Sequence, residues 1–297
     1  MTIVVTGAGG FVGKRLVSLL ADASYDVFAL VHSMPSDEDR HYFSNKRITV
    51  REVDLLTFDP SSLPQGVTGV ISLAQSAYFR DFPERSKEVF QVNVVANLQL
   101  LDWAVRSGVK RFVLASSGGI YGGKRGVQFQ ETDDFQTNSP LGFYLGSKFC
   151  SEIILQNYRQ LFDCAVTVRP FFIYGPGQRS DMFIARIINS VRDGRPITLQ
   201  GPDGLRVNPV YVDDAAVAFA RALEVNGNKT INVAGPDVLS LRSVAEGAGL
   251  HLGRPPLFEA VQGEPVDYVA DITIARQVLK LEPRPFAVGL TETLGSK

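Results

Sequence analysis

The chain has 297 residues, 45% of them hydrophobic and 21% charged, which is enough to bury a substantial core in one large or two modest domains. Its 30 Lys and Arg stand against 31 Asp and Glu, a formal net charge of −1, and no block of like charge occurs. Nothing therefore marks the chain for nucleic acid or an anionic membrane surface, and small-molecule partners are expected.

The first element is a strand over 2–6, which reads as core rather than as a signal peptide. No apolar run approaches the ~20 residues of a membrane span, so a cytoplasmic protein is expected. The strand runs into Thr6-Gly7-Ala8-Gly9-Gly10-Phe11-Val12-Gly13 and a helix over 12–21. Glycines let the backbone turn tightly and approach a pyrophosphate, while the helix N-terminus offers free N–H groups and a positive dipole end. A dinucleotide is the natural ligand of such a turn.

Strands follow over 26–31, 48–53, 69–73 and 111–115, with a long amphipathic stretch over 84–107 closed by Gly108. This alternation predicts an α/β fold, a doubly wound parallel sheet of Rossmann type whose ligands lie at the carboxyl ends of the strands. The second strand ends in Leu30-Val31-His32-Ser33, without the carboxylate that would accept a ribose 2′-OH. Asp37, Glu38 and Asp39 read as a solvated loop, whereas His32 and Ser33, helped by Lys14 or Arg15, suit a 2′-phosphate. The expected cofactor is NAD(P), leaning to NADP(H).

Tyr144 and Lys148 lie four residues apart on a helix over 144–160, so their side chains share one face. An ammonium beside a phenol favours the ionised form and lowers a pKa normally near ~10, giving a tyrosine able to move protons. A strand over 165–168 follows, after which the breaks at Pro176-Gly177, Arg195-Pro196, Gly201-Pro202-Asp203-Gly204 and Asn208-Pro209 predict a smaller, loop-rich C-terminal substrate lobe. The expected division is 1–169 with 212–234 as a dinucleotide-binding domain and 170–211 with 235–297 as a substrate-binding lobe. Cys150 and Cys164 are expected to be ordinary packing thiols, and His32, His41 and His251 lack metal-ligand spacing, so no metal site is expected.

The glycine turn is followed by Ala115-Ser116-Ser117-Gly118-Gly119-Ile120-Tyr121-Gly122, Tyr144-Leu145-Gly146-Ser147-Lys148, Arg169-Pro170-Phe171-Phe172-Ile173-Tyr174-Gly175-Pro176-Gly177 and Tyr211-Val212-Asp213-Asp214. As a set, these motifs resemble the extended short-chain dehydrogenase/reductases, the NAD-dependent epimerase/dehydratase family. Gly263-Glu264-Pro265 and the stretch from Ala270-Asp271-Ile272 through Leu281-Glu282-Pro283 extend the resemblance over nearly the whole chain. It implies that Tyr144 is the acid/base, that Lys148 hydrogen-bonds the nicotinamide ribose and holds the phenol's pKa down, and that Ser117 hydrogen-bonds the reacting oxygen. It also implies cofactor contacts at Gly7, Gly9, Gly10, Phe11, Val12, Gly13, His32, Ser33, Asp54, Leu55, Leu73, Ala74, Tyr144 and Lys148. Substrate contacts are expected at Ser117, Gly118, Phe171, Phe172, Arg179 and Arg206.

Family members that dehydrate nucleotide sugars carry an Asp-Glu pair after the catalytic hydroxyl residue, where this chain has Gly118-Gly119. The expected function is therefore a nucleotide-sugar epimerase or 4-keto reductase acting at C4, not a 4,6-dehydratase. Phe172 stands where many relatives have asparagine, and Val207 where they have arginine, with Arg206 one residue away. The motif set looks like a subgroup common in bacterial surface-polysaccharide biosynthesis. Two other readings stand beside it. One is an NADPH-dependent reductase of a small non-sugar ketone or aldehyde, consistent with Tyr78, Phe79, Phe82, Phe171 and Phe172. The other is a non-catalytic dinucleotide-sensing protein, against which Ser117, Tyr144 and Lys148 argue. The resemblance further implies a homodimer through the helices of 84–107 and 144–160, although Val92, Val95, Leu98, Ile153 and Ile154 suit packing on the chain's own sheet equally well.

Overall fold

The computed structural model of the chain describes residues 1–136 and 141–295; residues 137–140 and 296–297, which fall within the expected 1–169 and 235–297 segments, lie outside it. In chain order the strands are β1 (Thr2–Thr6), β2 (Asp26–Val31), β3 (Ile48–Glu52), β4 (Val67–Ser72), β5 (Arg111–Ala115), β6 (Gln128–Phe129) and β7 (Cys164–Pro170). They continue with β8 (Ile197–Gln200), β9 (Arg206–Val207), β10 (Gly227–Val233), β11 (Leu239–Ser240), β12 (Phe258–Val261) and β13 (Asp267–Ala270). Seven of them form one sheet in the order β10-β7-β5-β4-β1-β2-β3, with parallel pairing from β7 to β3. The order reverses between β1 and β4, the place where a doubly wound sheet opens a crevice beyond its carboxyl edge.

Strands β1 to β5 and β7 form where the sequence pattern places them, whereas β10, the seventh strand of the sheet, has no counterpart in that pattern. Ile3, Val4 and Val5 of β1 are all 0% exposed, because a central parallel strand is covered on both faces and takes a continuous apolar run. Helix α1 (Gly13–Asp22) buries Gly13, Leu16, Val17, Leu20 and Ala21, a stripe with the helical period. The amphipathic stretch is less regular than its sequence suggests: α2 (Ser86–Phe90) runs into a π-helical segment, Gln91–Val95, before α3 (Ala96–Arg106). Helix α4 (Gly142–Tyr158) carries Tyr144 and Lys148. One core cluster joins Val4, Leu30, Val70, Phe112 and Leu114 of the sheet to Leu100, Leu101 and Ala104 of α3 and Leu155 of α4. Each such leucine contributes about 1.5–3 kcal/mol by burial, which fixes α4 on the sheet.

The chain forms two compact units. The first comprises Met1–Ile120, Phe135–Arg169 and Ala216–Ile231, and the second Tyr121–Asp134, Pro170–Ala215 and Asn232–Lys297. Inside the second unit β13 pairs with β6 and β9, β9 with β11, and β8 with β12. The segment from Tyr121 to Asp134, which the sequence reading leaves in 1–169, joins the second unit because Gln128 and Phe129 pair with Val269 and Ala270 and the Asn232 amide donates to the Phe129 carbonyl at 3.0 Å. Helix α5 (Phe183–Asp193) of this unit buries Ile184, Ile187, Ile188 and Val191. No described helix is long and apolar enough to cross a membrane.

Candidate active site

Parallel strands end on one edge, and three of them in the first unit deliver the site: β1 runs into Gly7, β4 into Leu73-Ala74-Gln75, and β5 into Ser116-Ser117. Gly7 sits at φ +67°, and a Cβ there would lie 2.9 Å from both the backbone N and Cα of Ala74. The Gly10 amide donates to the Gly7 carbonyl at 2.9 Å, and a Cβ on Gly13 would fall 2.2 Å from that same oxygen. Only glycine permits this closure, and it leaves Gly9 and Gly10 exposed at the rim, with Phe11 and Val12 half-buried behind them. The first turn of α1 has neither a side-chain cap nor an acidic residue, so its N–H groups meet no competing carboxylate there. The residues present fit the diphosphate of a dinucleotide.

Around this turn the other expected cofactor residues take distinct places. Leu73 and Ala74 close on Gly7. His32 and Ser33 are exposed just beyond β2. Asp54 is exposed and its Oδ1 accepts the Leu56 amide at 2.9 Å, while Leu55 packs against the sheet core. Asp39 departs from its expectation as a solvated carboxylate, because Lys14 Nζ donates to its Oδ1 at 2.6 Å and draws it against the start of α1. Arg15 donates to the Phe11 carbonyl at 2.9 Å and lies over the rings of Phe11 and Tyr42.

Tyr144 and Lys148 project from the buried side of α4, 9% and 4% exposed. The Tyr144 hydroxyl donates to Gln75 Oε1 at 2.9 Å and its ring packs on Phe79 at 5.1 Å. Lys148 Nζ donates to the carbonyl of Ala115, the last residue of β5, at 3.1 Å. Ser117 lies two residues beyond that carbonyl, accepts the Gly119 amide at 3.2 Å and reaches the Tyr144 phenol. The structure thus brings Ser117, Tyr144 and Lys148 together at the carboxyl edge.

The electrostatics correct the expectation that Lys148 lowers the phenol's pKa. Burial raises the Tyr144 phenol well above its ordinary value, opposed by the hydrogen bond from Ser117. Lys148 is itself pushed down to about 8 by burial, with the Glu152 carboxylate acting the other way. The ammonium is engaged with the Ala115 carbonyl, so spacing on a helix face did not foretell which acceptor it would choose.

Three supporting residues escaped the sequence reading. Gln75 holds the phenol's proton at an exposed position just past the expected contacts Leu73 and Ala74. Asn93, inside the π-helical segment, accepts the Ser76 amide at 3.0 Å, donates to Ser147 at 2.9 Å and offers its carbonyl to Ser151 at 2.7 Å, fastening α4. Glu152, one turn beyond Lys148, accepts Arg169 Nε at 3.0 Å and Nη2 at 2.6 Å. The polar residues Asn93 and Asn97, four apart within an apolar helix face, were the available signal for the second of these; the π-helical offset leaves no trace in hydropathy.

In the second unit, Phe171 is a core residue, 2% exposed and stacked on Tyr121 at 6.0 Å. Phe172 is half-buried at φ +42° with its ring against Phe183 and Tyr268, at 4.9 and 5.9 Å. Arg179 is paired with Asp181, and Arg206 makes a two-point contact with Asp267 at 3.0 and 2.5 Å. Cys164 is buried with its thiol pushed up to about 11, whereas Cys150 is exposed on α4 and is not the packing thiol expected. Among the described residues no group of three His, Cys, Asp or Glu side chains is arranged to hold a metal ion.

Residues 3–234 match the model of the NAD dependent epimerase/dehydratase family. The chain is 28% identical to the uncharacterized UDP-glucose epimerase YtcB of Bacillus subtilis (strain 168), covering 95% of this chain and 93% of that protein. It is 29% identical to a dTDP-4-dehydro-6-deoxy-D-allose reductase of Streptomyces bikiniensis, covering 98% and 94%. Its fold superposes on the crystal structure of a Bacillus cereus UDP-glucuronic acid 4-epimerase in complex with UDP-glucuronic acid and NAD, with a TM-score of 0.86 at 26% identity over 99% of this chain and 98% of the other.

Proposed function

This chain belongs to the NAD dependent epimerase/dehydratase family, and on that premise we propose that it moves hydride between a nicotinamide dinucleotide and C4 of a nucleotide-linked sugar, as an epimerase or 4-keto reductase. The observation that carries this reading is the meeting of Ser117, Tyr144 and Lys148 at the ends of β4 and β5, on the edge where the glycine turn follows β1. Relatives that act on UDP- and dTDP-linked sugars support the substrate class and give no support to a small apolar ketone.

The nicotinamide ring, when bound, supplies or receives the hydride. Tyr144 handles the proton that must follow the charge on the reacting oxygen. Burial keeps the phenol protonated, so it is set as a donor to an oxygen gaining charge, the direction of ketone reduction. Ser117 reaches both this phenol and the same edge of the sheet, and so steadies the oxygen in either direction. Lys148 is assigned to the nicotinamide ribose.

Dehydration is disfavoured by more than the missing carboxylates. Gly118 is buried, and a Cβ on Gly119 would lie 2.8 Å from Leu145 Cδ2, so a larger residue at 119 would require Leu145 to move.

The bare end of β2, with exposed His32 and Ser33, supports NADP(H) as the preferred cofactor. Exposed Leu98 on α3 (37%) and Ile153 on α4 (45%) support a homodimer through those helices, whereas Ile154 packs inward. A cytoplasmic setting and a role in polysaccharide biosynthesis go with this reading.

The test is mass spectrometry of ligands released from the purified protein, followed by NADPH and NADH oxidation against 4-keto nucleotide sugars and NMR of UDP-sugar mixtures for epimers. Turnover of such a sugar is expected. The absence of any bound or consumed dinucleotide, or rapid dehydration of a nucleotide hexose, would overturn it.

A further inference from the structure

We infer that Glu152 and Arg169 are positioning residues whose buried ion pair sets the charge and the aim of Lys148. Tyr144, Lys148 and Glu152 follow one another at four-residue intervals down α4, and all three are buried, the carboxylate most deeply at 1%. Arg169, near the end of β7, closes on both oxygens of that carboxylate with its own side chain 7% exposed. Apolar residues of similar volume hold a helix on a sheet at least as well as a buried ion pair does, so stability alone does not account for it.

The charged and titratable groups facing Lys148 come from each packed element. Tyr144 lies one turn toward the start of α4 and Glu152 one turn toward its end; β5 presents the Ala115 carbonyl at 3.1 Å, and Arg169 stands on β7 behind Glu152. Arg159, just past α4, acts on both members of the pair. Burial works against the ammonium, and Glu152 is the group that works for it. A lone carboxylate one helical turn away on the same face would also compete for Nζ as an acceptor. Arg169 occupies both of its oxygens, which leaves Nζ on the Ala115 carbonyl, two residues from Ser117.

This assignment predicts opposite signs for the two partners. In Glu152→Gln, Lys148 loses its anion and faces an uncompensated guanidinium, so its titration midpoint falls by about one pH unit, and at pH 8 its ammonium fraction drops from roughly half to roughly a tenth. In Arg169→Gln, the released carboxylate raises the midpoint by a similar amount. The double variant returns close to the wild type. Lysine ε-carbon NMR of the full chain, with the Lys148 signal identified by its loss in Lys148→Arg, reads this directly. Should Glu152→Gln not fold, Glu152→Asp withdraws the charge by one methylene and shifts the midpoint in the same direction by less.

The inference rests on the proposed role of Lys148 only in its second readout, the alkaline limb of kcat/KM, which moves to lower pH in Glu152→Gln and to higher pH in Arg169→Gln. Opposed NMR shifts in a protein that turns over no nucleotide sugar would sink the proposed function and leave this inference standing. Shifts of the same sign in both variants, or no shift in either, would mean the pair is structural only and overturn it.

Discussion

Replacing Tyr144 by phenylalanine removes one oxygen and little else. The ring stays packed on Phe79 at 5.1 Å, and the hydrogen bonds lost are the one to Gln75, an exposed side chain that water can satisfy, and the one from Ser117. The stability cost is therefore that of two neutral hydrogen bonds, about 1–2 kcal/mol, which lowers the melting temperature by about 2–8 °C. The chemical cost is far larger. Loss of a positioned proton donor slows such reactions by roughly 10²–10⁴-fold, equivalent to about 3–5 kcal/mol in the barrier. The assay pairs steady-state turnover of a 4-keto nucleotide sugar with a thermal melt and a titration of the dinucleotide. Expected is a collapse of kcat with a melt lowered by no more than those few degrees and the dinucleotide still bound. A Tyr144→Phe protein that keeps a tenth or more of wild-type kcat/KM would remove the phenol from the chemistry.

Four further outcomes are expected. Gly13→Ala places a methyl 2.2 Å from the Gly7 carbonyl, so thermal melts should show a loss of about 2–3 kcal/mol and calorimetry a loss of dinucleotide affinity. Lys148 has a value of about 8 in the folded chain against an ordinary 10.5, so from pH 8 upward the unfolded chain binds the extra proton and stability rises with pH, by at most about 1.4 kcal/mol per unit. Cys164, raised from 9.0 to about 11, opposes this above pH 9, so the rise belongs to pH 8–9 and should vanish in denaturant titrations of Lys148→Met. Asp39→Asn releases Lys14 from its 2.6 Å ion pair and should raise the ratio of kcat/KM for NADPH over NADH several-fold; an unchanged ratio would place Lys14 away from the 2′-phosphate. Leu98→Glu with Ile153→Glu should yield monomers in analytical ultracentrifugation, and an intact dimer would move the interface elsewhere.

The sheet was legible because a parallel strand buried on both faces has an unmistakable composition: β2 and β5 fall where the apolar runs do. The site residues were legible as a set, since Ser117, Tyr144 and Lys148 occupy strand ends and a helix face that the chain order already implies. Their electrostatics were not. Whether Lys148 favours phenolate or finds a carbonyl depends on a hydrogen bond to Ala115, 33 residues away in sequence, and on burial that no local pattern reports. The engagement of Asp39 by Lys14 and the placement of Gln128 and Phe129 in the second unit depend likewise on tertiary partners.

Phe172 holds a main-chain conformation at φ +42° that glycine or asparagine enters readily and a bulky residue does not. A benzyl side chain persists there only if its contacts with Phe183 and Tyr268 outweigh a backbone penalty of about 1–3 kcal/mol. Phe172→Asn would relax the peptide and loosen the aromatic cluster in one stroke. The position therefore acts as a hinge between comfort of the main chain and rigidity of the three rings, and modest changes at any of them should alter the shape of the surface they present.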